Sequence, residues 1–280
     1  MTNTSRVIFE KMHACGNDFI IIDARKHNLN IDENTICKLS NRRTGIGCDQ
    51  VILIKDPLTH GSTASMTIFN CDGGIVEACG NASRCVASLL MKESNLRSCS
   101  IETCDRTLEC ECMSGNTIRI NMGQPSFMWS DIPLAYNPGE PYLTFNQFND
   151  IEISKGYYVN IGNPHCVFFI DNPDNIDLAT VGKAIEYDLM FPNHINVEFV
   201  CVTSKHNLYA RVWERGAGDT GACGTGACAS AIVAIQQNLV TQPVNVFFSK
   251  QDEAIIIESD GTNIFMTGKI HHAFSGSVLI

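Results

Sequence analysis

The sequence predicts an α+β protein with two pseudo-symmetric domains, each a curved mixed β-sheet wrapped around one buried helix. Two segments, Cys79–Lys92 and Cys223–Asn238, are rich in Ala, Leu and Ile and carry almost no charge on any face. A helix that is apolar all round is a buried helix, and about 15 residues is too short to span a bilayer. Strand-like runs surround both segments, so each is expected to fill the inside of a small curved sheet.

A weak internal duplication relates the two halves. The offset is 144 residues (223 − 79) for the longest match and 146 (163 − 17) for the others. Matches that recur in the same order at nearly one offset indicate a repeated unit. The matched segments are Phe69–Asn81 with Trp213–Thr225, Gly16-Asn17 with Gly162-Asn163, and Asp49–Val51 with Ile195–Val197.

Turn and proline signals divide the chain further. Ser98–Leu108 and Leu108–Gly123 are predicted as strands, with a turn at Ser114-Gly115-Asn116. Four of the nine prolines fall between Pro125 and Pro141, which favours a boundary near the midpoint. We therefore expect an N-terminal half over residues 1–124, which carries Cys79, and a C-terminal half over residues 125–267, which carries Cys223.

Composition and charge exclude several classes of partner. The formal charge of -10 repels phosphate backbones and anionic lipid, so neither nucleic acid nor a membrane is an expected partner. No run approaches the roughly 18 apolar residues of a membrane span, and the first ten residues lack the pattern of an export signal. A cytoplasmic protein is expected.

Cysteine is unusually frequent, with 14 residues in the chain. Disulfides rarely persist in a reducing compartment, and the absence of any Cys-x-x-Cys pair argues against structural metal, so no metal is expected. Most of the cysteines are expected to be small buried hydrophobes, among them Cys85 and Cys228 in the two helices.

Cys79 and Cys223 differ from the rest because each stands at the start of a predicted buried helix, after a Gly-rich loop. A helix N-terminus favours anions, which predicts a thiol pKa below the usual value of about 8.5. The amides of Gly80-Asn81 and Gly224-Thr225 are expected to bind a carboxylate. One such loop alone is usually ordinary packing. Two suggest a pair of acid–base groups that invert a stereocentre, with one removing a proton and the other returning one to the opposite face.

At these motifs the sequence closely resembles the diaminopimelate epimerases. The matching stretches are MHACGNDF, RRTGIGCDQ, IFNCDGGIVEACGNASRC, VNIGNPHC, INVEF and ERGAGDTGACGTGAC. The resemblance implies two similar α+β domains with the site in the cleft between them, and a C-terminal segment, about 268–280, that returns to the first domain. It also implies a homodimer that interconverts LL- and meso-2,6-diaminopimelate without a cofactor, for lysine or peptidoglycan synthesis.

The resemblance also implies a role for each site residue. Cys79 and Cys223 would be the paired acid and base, and His165 and Glu214 would influence their pKa values. A strand histidine bonded to the backbone is the alternative for His165. The residues that would bind the amino-acid substrate are Asn17, Gln50, Asn70, Gly80, Asn81, Asn163, Asn196, Glu214, Arg215, Gly224 and Thr225.

Three positions depart from the family pattern. Ala14-Cys15 stands where the family mostly has Gly-Leu, which adds a third thiol near the cleft, and Gly221 replaces a larger residue. Phe274 lies near a family tyrosine associated with dimer contact. Three rival interpretations remain open at this point: another amino-acid racemase on the same scaffold, a redox-sensing or metal-sequestering thiol protein, and a cysteine hydrolase.

Overall fold

A computed structural model describes residues 6–25, 29, 31–76, 79–145, 153–249 and 253–280. Glu77 and Ala78, which belong to the predicted Ala-Cys-Gly-Asn motif, lie outside the described residues. The chain separates into two compact units, Met1–Ile120 with Gly268–Ile280, and Asn121–Thr267. In the described ranges, no helix is both long and apolar enough to cross a membrane.

Strands dominate both units. The elements up to residue 123 are β1 (Arg6–Ala14), β2 (Asn17–Asp23), α1 (Glu33–Ser40), β3 (Gln50–Lys55), β4 (Ala64–Asn70), β5 (Ile75–Val76), α2 (Gly80–Ser94), β6 (Ser98–Glu102), β7 (Thr107–Ser114) and β8 (Thr117–Gly123). Those that follow are β9 (Tyr142–Thr144), β10 (Lys155–Asn160), β11 (Pro164–Phe169), a 3₁₀ turn (Pro173–Asn175), α3 (Leu178–Glu186), β12 (Asn196–Ser204), β13 (Asn207–Trp213), α4 (Gly224–Gln236), β14 (Val244–Phe248), β15 (Ile255–Ser259), β16 (Ile264–Lys269) and β17 (His271–Leu279).

The first unit is a mixed sheet in which antiparallel and parallel pairs alternate. β1 pairs antiparallel with β2, β2 parallel with β3, β3 antiparallel with β4, and β4 parallel with β6. The antiparallel pairs β6–β7 and β7–β8 complete the series. The C-terminal strand β17 lies antiparallel to β1, so that Arg6 faces Leu279.

The second unit repeats this order of pairings. β10–β11 is antiparallel, β11–β12 parallel, β12–β13 antiparallel and β13–β14 parallel, followed by the antiparallel pairs β14–β15 and β15–β16. The register repeats as well, because Phe19 faces Gln50 in the first unit and His165 faces Asn196 in the second. Each of these residues lies 146 positions from its counterpart (165 − 19, 196 − 50). The predicted α+β fold class is confirmed.

Each predicted apolar segment forms a buried helix. α4 contacts the six strands β10 to β15, and 11 of its 13 residues are buried. α2 contacts β1, β2, β6 and β7, and is buried from Gly80 to Ala87. Six of the 13 residues of α4 are Ala or Gly, and such small side chains let the surrounding strands approach the helix axis. Helix α2 nevertheless contains a charged residue that is fully buried, Arg84.

Two sequence predictions need correction. The run Ser98–Leu108 is not one strand, because a turn separates β6 from β7, where the amide of Thr103 donates to the carbonyl of Arg106 (2.8 Å). Seven of the 14 cysteines are buried, which is half rather than most. Cys85 and Cys228 are core residues as predicted, both with 0% exposure.

The packing of α3 on β13 gives a test of the fold. A Cβ atom on Gly182 would lie 2.7 Å from Cβ and Cγ of Trp213. Helix propensity alone favours Ala over Gly by about 1 kcal/mol, but overpacking costs about 1–3 kcal/mol. We expect Gly182→Ala to lower the free energy of unfolding, measured by urea denaturation.

The matched control is Ala184→Gly in the same helix, at an exposed position. This change should lower the free energy of unfolding by about 1 kcal/mol through propensity alone. A Gly182→Ala variant more stable than the parent protein would contradict the packing described between α3 and Trp213.

Candidate functional site

In the first unit, Cys79 is the N-cap residue of α2. Its backbone is extended (φ −147°), its side chain is half-buried, and the Gly80 and Asn81 that follow are buried. Its carbonyl oxygen accepts from the amide and the hydroxyl of Ser83, at 2.9 Å each. The amides of the first helical turn have no partner within the helix, so they lie beside the thiol as donors for an anion.

The predicted polar residues of this unit form two hydrogen-bonded pairs. Asn17, the first residue of β2, accepts from Asn81 Nδ2 (2.9 Å). Gln50 begins β3 and lies opposite Asn70, the last residue of β4, and Gln50 Nε2 donates to Asn70 Oδ1 (3.1 Å). The other amide atom of Gln50, Oε1, is buried and has no hydrogen-bond partner among the described residues. An unpaired buried acceptor of this kind suits a ligand that donates.

Arg84 holds the Asn17–Asn81 pair in place from within the helix. Its Nη2 donates to Asn81 Oδ1 (2.6 Å), which leaves Asn81 Nδ2 to donate to Asn17. Sequence reasoning missed Arg84, although a single arginine in an otherwise apolar helix is a usable signal, because a buried charge requires specific partners.

In the second unit, Cys223 is the N-cap residue of α4, with an extended backbone (φ −131°). The thiol is buried, accepts from the Gly226 amide (3.5 Å) and lies 3.4 Å from the Thr225 hydroxyl. Gly224 and Thr225 are buried in the first helical turn. The structure therefore repeats the arrangement of a thiol beside the free amides of a helix start.

The electrostatics of Cys223 differ from the sequence prediction. Burial raises the pKa of its thiol well above the usual value, and the Glu214 and Glu198 carboxyl groups raise it further. The bonds from Thr225 and Gly226 oppose this rise in pKa without reversing it. The predicted lowering is wrong for Cys223, because desolvation and two nearby carboxyl groups outweigh the helix start.

Glu214 lies in the loop after β13 and faces the Cys223 thiol. Its carboxylate accepts from the Thr220 hydroxyl in the same loop. Burial raises the pKa of Glu214, while the contacts with Thr220 and Cys223 lower it in part. Glu214 and Cys223 are thus close enough for the charge of one to affect the ionisation of the other.

His165 belongs to a buried side-chain network on β11. Its Nδ1 lies 2.7 Å from Glu198 Oε1, and its Nε2 lies 2.9 Å from Asn163 Oδ1. Asn163 in turn donates from Nδ2 to the Thr225 hydroxyl (3.3 Å). The alternative of a histidine bonded to backbone is wrong, since both ring nitrogens contact side chains.

His165 and Glu198 are both fully buried, and the contact between His165 Nδ1 and Glu198 Oε1 is a hydrogen bond within the core. Through Asn163 this buried pair is connected to Thr225 in the first turn of α4.

Glu198 is a second residue that sequence reasoning missed. Its side chain is fully buried on β12, and burial raises its pKa. In the part of the chain that the structure describes, Oε2 has no hydrogen-bond partner. A Cβ on Gly226 would lie 3.0 Å from Glu198 Oε1, so only glycine at that helix position lets the carboxyl group lie against α4. The run INVEF predicts a strand but does not indicate that this glutamate points inwards.

The remaining predicted residues of the second unit shape the loop that carries Glu214. Asn196 Oδ1 accepts from the Arg215 amide (2.9 Å), and Asn196 Nδ2 donates to the Pro164 carbonyl (2.8 Å). The Arg215 guanidinium contacts the Asn193 carbonyl (3.4 Å). Glu186 supports the same loop, since it accepts from Trp213 Nε1 (2.7 Å) and from the Gly216 amide (2.8 Å).

Comparison with known proteins identifies related sequences over most of the chain. The sequence profile of the diaminopimelate epimerase family matches residues 9–128 and 157–273. A diaminopimelate epimerase from Erythrobacter litoralis (strain HTCC2594) is 43% identical over 273 residues, which cover 97% of each chain. One from Sphingopyxis alaskensis (strain DSM 13593 / LMG 18877 / RB2256) is 42% identical over 268 residues, or 96% of each chain.

The fold has solved counterparts at much lower identity. The crystal structure of a phenazine biosynthesis protein of the PhzF family from Enterococcus faecalis has a TM-score of 0.72 and 11% identity, with 99% of this chain and 100% of that chain covered. That likeness shows the fold alone. The profile match and the relatives above 40% identity go further and confirm the predicted family and an isomerase: the chain belongs to the diaminopimelate epimerase family.

Proposed function

We propose that the protein interconverts LL- and meso-2,6-diaminopimelate by proton transfer between two cysteines, without a cofactor. The observation that carries the proposal is a thiol at the N-cap of a buried helix in each of two units with the same strand order. One thiolate removes the α-proton, and the electron pair that remains on carbon is delocalised into the α-carboxylate. The other thiol delivers a proton to the opposite face, which inverts the stereocentre.

Stabilisation of the carbanion falls to the helix starts. The amides of Gly80-Asn81 and Gly224-Thr225 are proposed to bind the α-carboxylate, where negative charge develops as the proton leaves. Fixed amide donors in a buried setting stabilise such charge without reorganising. Both helix starts are buried, which supports this role.

The protonation states of the two thiols are proposed to differ at rest. Cys223, whose pKa is raised by burial and by Glu214, is the protonated partner. Cys79 then supplies the thiolate. His165 and Glu214 are proposed to adjust the ionisation of the cysteines, with Glu198 as a positioning residue that holds His165.

Recognition of a zwitterionic substrate is proposed to use the polar residues around each helix start. Glu214 would pair with an ammonium group and Arg215 with a carboxylate, for which its planar fork is suited. The proposed amide contacts, including the distal amino and carboxylate groups, are Asn17, Gln50, Asn70, Asn163 and Asn196. The buried Oε1 of Gln50 supports one such contact.

The assembly and location of the protein are also proposed. We expect a cytoplasmic homodimer, with the halves at residues 1–124 and 125–267 as the two catalytic modules and residues 268–280 attached to the first.

Removal of either thiol is expected to abolish most of the activity. Cys79→Ser and Cys223→Ser should each lower kcat by about 10²–10⁴-fold, the usual contribution of a positioned acid or base. Turnover is followed by chromatographic separation of the isomers, with circular dichroism to confirm folding. Cys37→Ser, at an exposed position on α1, is the matched control and should retain full activity. Unchanged turnover in either site variant would remove that cysteine from the mechanism.

Isotope exchange tests the reaction itself. In heavy water, LL-diaminopimelate incubated with the protein should yield product with deuterium at one α-carbon, because the delivered proton comes from a thiol that exchanges with solvent. Mass spectrometry measures the incorporation. Histidine and proline, offered in parallel, should remain unlabelled, and labelling of either in place of diaminopimelate would favour another amino-acid racemase.

The pH dependence of Cys223 tests its electrostatic environment. A neighbouring carboxylate favours the neutral thiol, so Glu214→Gln should lower the pKa of Cys223. In the absence of substrate, alkylation of Cys223 by iodoacetamide, mapped by mass spectrometry, should reach its half-maximal rate at a lower pH than in the parent protein.

Asp219→Asn is the control for this variant. Asp219 lies in the same loop, where its Oδ1 accepts from the Gly221 amide (3.1 Å), an acceptor role that asparagine retains. This substitution should leave the alkylation profile of Cys223 in place. An unchanged or raised midpoint in Glu214→Gln would show that the Glu214 charge does not act on Cys223.

A further inference from the structure

Arg84 is a buried cation that forms no ion pair with a carboxylate among the residues that the structure describes. Its side chain has 0% exposure. Nη2 donates to Asn81 Oδ1 (2.6 Å) and to Cys15 Sγ (3.3 Å), whereas Nε and Nη1 have no hydrogen-bond partner within the described part of the chain. A guanidinium does not lose its proton in a protein, so its burial is costly without a nearby anion.

Cys15 is the acceptor of Arg84 that can become an anion. The other recorded acceptor, Asn81 Oδ1, is a neutral amide oxygen. A cation in hydrogen-bond contact with a sulfur favours the thiolate over the thiol. Adjacent space is limited, because a Cβ on Gly268 would lie 2.9 Å from Arg84 Cζ, so the guanidinium cannot shift towards that backbone.

Cys15 is a partly exposed residue, unlike Arg84. It lies in the turn between β1 and β2, with a left-handed backbone (φ 48°), and is only half-buried. Cys85, one residue after Arg84, provides a contrast in the same helix. Burial raises the pKa of the Cys85 thiol despite the charge of Arg84. Cys15 and Cys85 therefore differ in how far each residue is exposed to solvent.

We propose that Cys15 is an ionised thiol paired with Arg84, and a site of modification by low-molecular-weight disulfides. The Cys15 thiolate attacks one sulfur of the disulfide. A bond forms between Cys15 Sγ and that sulfur as the original S–S bond breaks, and the other half leaves as a thiolate. No further oxidant is needed, because the disulfide is itself reduced.

The surrounding charges are compatible with this pairing. From α2, the groups that face this region are Arg84 and the thiols of Cys79 and Cys85. On the hairpin itself, Lys11 and Asp18 form an ion pair with each other (2.5 Å), and Asp18 also pairs with Arg42 (2.6 Å). Arg42 also pairs with Asp49 (2.7 Å), so two carboxylates accompany these two cations. His13 of β1 stacks on His271 of β17, with 4.7 Å between the ring centroids. Arg84 Nη2 is in direct contact with Cys15 Sγ (3.3 Å).

An adduct at Cys15 would stand beside residues of the proposed substrate site. Asn17 follows two positions later and accepts from Asn81, which Arg84 holds. Formation of the adduct would remove the thiolate from Arg84. Any effect of the adduct on epimerisation would rest on the proposed function, whereas the modification itself does not.

The test compares cysteines within one protein. Full-length protein is exposed to 2-hydroxyethyl disulfide at pH 6 to 9, quenched with acid, and the adduct on each cysteine is quantified by mass spectrometry. The references are Cys37, Cys71 and Cys104, which are exposed and therefore more accessible than Cys15. At pH 6, Cys15 should react at least about threefold faster than each reference, because its larger thiolate fraction outweighs its lower intrinsic nucleophilicity.

Two variants identify the cause. Arg84→Gln should abolish the advantage of Cys15 at pH 6, and Arg84→Lys, which keeps the charge, should retain part of it. Protection of the buried Cys99 and Cys110 of the same unit from the disulfide shows that the variant is folded. If Arg84→Gln does not fold, the pH profile of the parent protein decides. A Cys15 that reacts more slowly than the exposed cysteines at pH 6, with the same pH dependence, would overturn the proposal whether or not the protein epimerises diaminopimelate.

Discussion

The rest of the structure depends on how a helix can begin inside a curved sheet. The first-turn amides of α2 and α4 have no partner within their helices, and their burial removes water as an acceptor. At the start of α4 the N-cap side chain supplies an acceptor, because the Gly226 amide donates to Cys223 Sγ. At the start of α2 the Cys79 side chain makes no such bond. A thiol therefore lies beside the first-turn amides in both units, but only the Cys223 thiol caps its helix.

Local sequence patterns predicted much of the fold. The two apolar helices could be predicted because their signal lies in residues that are close in sequence. The repeat predicted from the offset is visible in the strand pairing, where Phe19 faces Gln50 in one unit and His165 faces Asn196 in the other. The exceptions depend on contacts between distant segments. Glu198 is buried because β12 pairs with β11, and Arg84 because α2 lies within its sheet. The direction of the Cys223 pKa could not be predicted, because it is raised by burial within the fold and by two carboxyl groups that come from the loop after β13 and from β12.

Duplication has preserved the backbone arrangement while the charges beside it diverged. In the first unit, Asn17 bonds to Asn81, and a buried arginine holds that pair. In the second, Asn163 bonds to Thr225, and a buried histidine–glutamate pair holds it. Equivalent amides therefore have equivalent partners at the helix start, but one helix start has a buried cation beside it and the other has carboxyl groups.

This divergence bears on the proposed chemistry, because two thiols that exchange one proton work only when they hold one proton between them. Burial, together with the Glu214 and Glu198 carboxyl groups, raises the pKa of Cys223, whereas the charged side chain buried at the first helix start is Arg84. In the proposed reaction these different side chains would distinguish the two thiols, although the backbone arrangement around them is repeated.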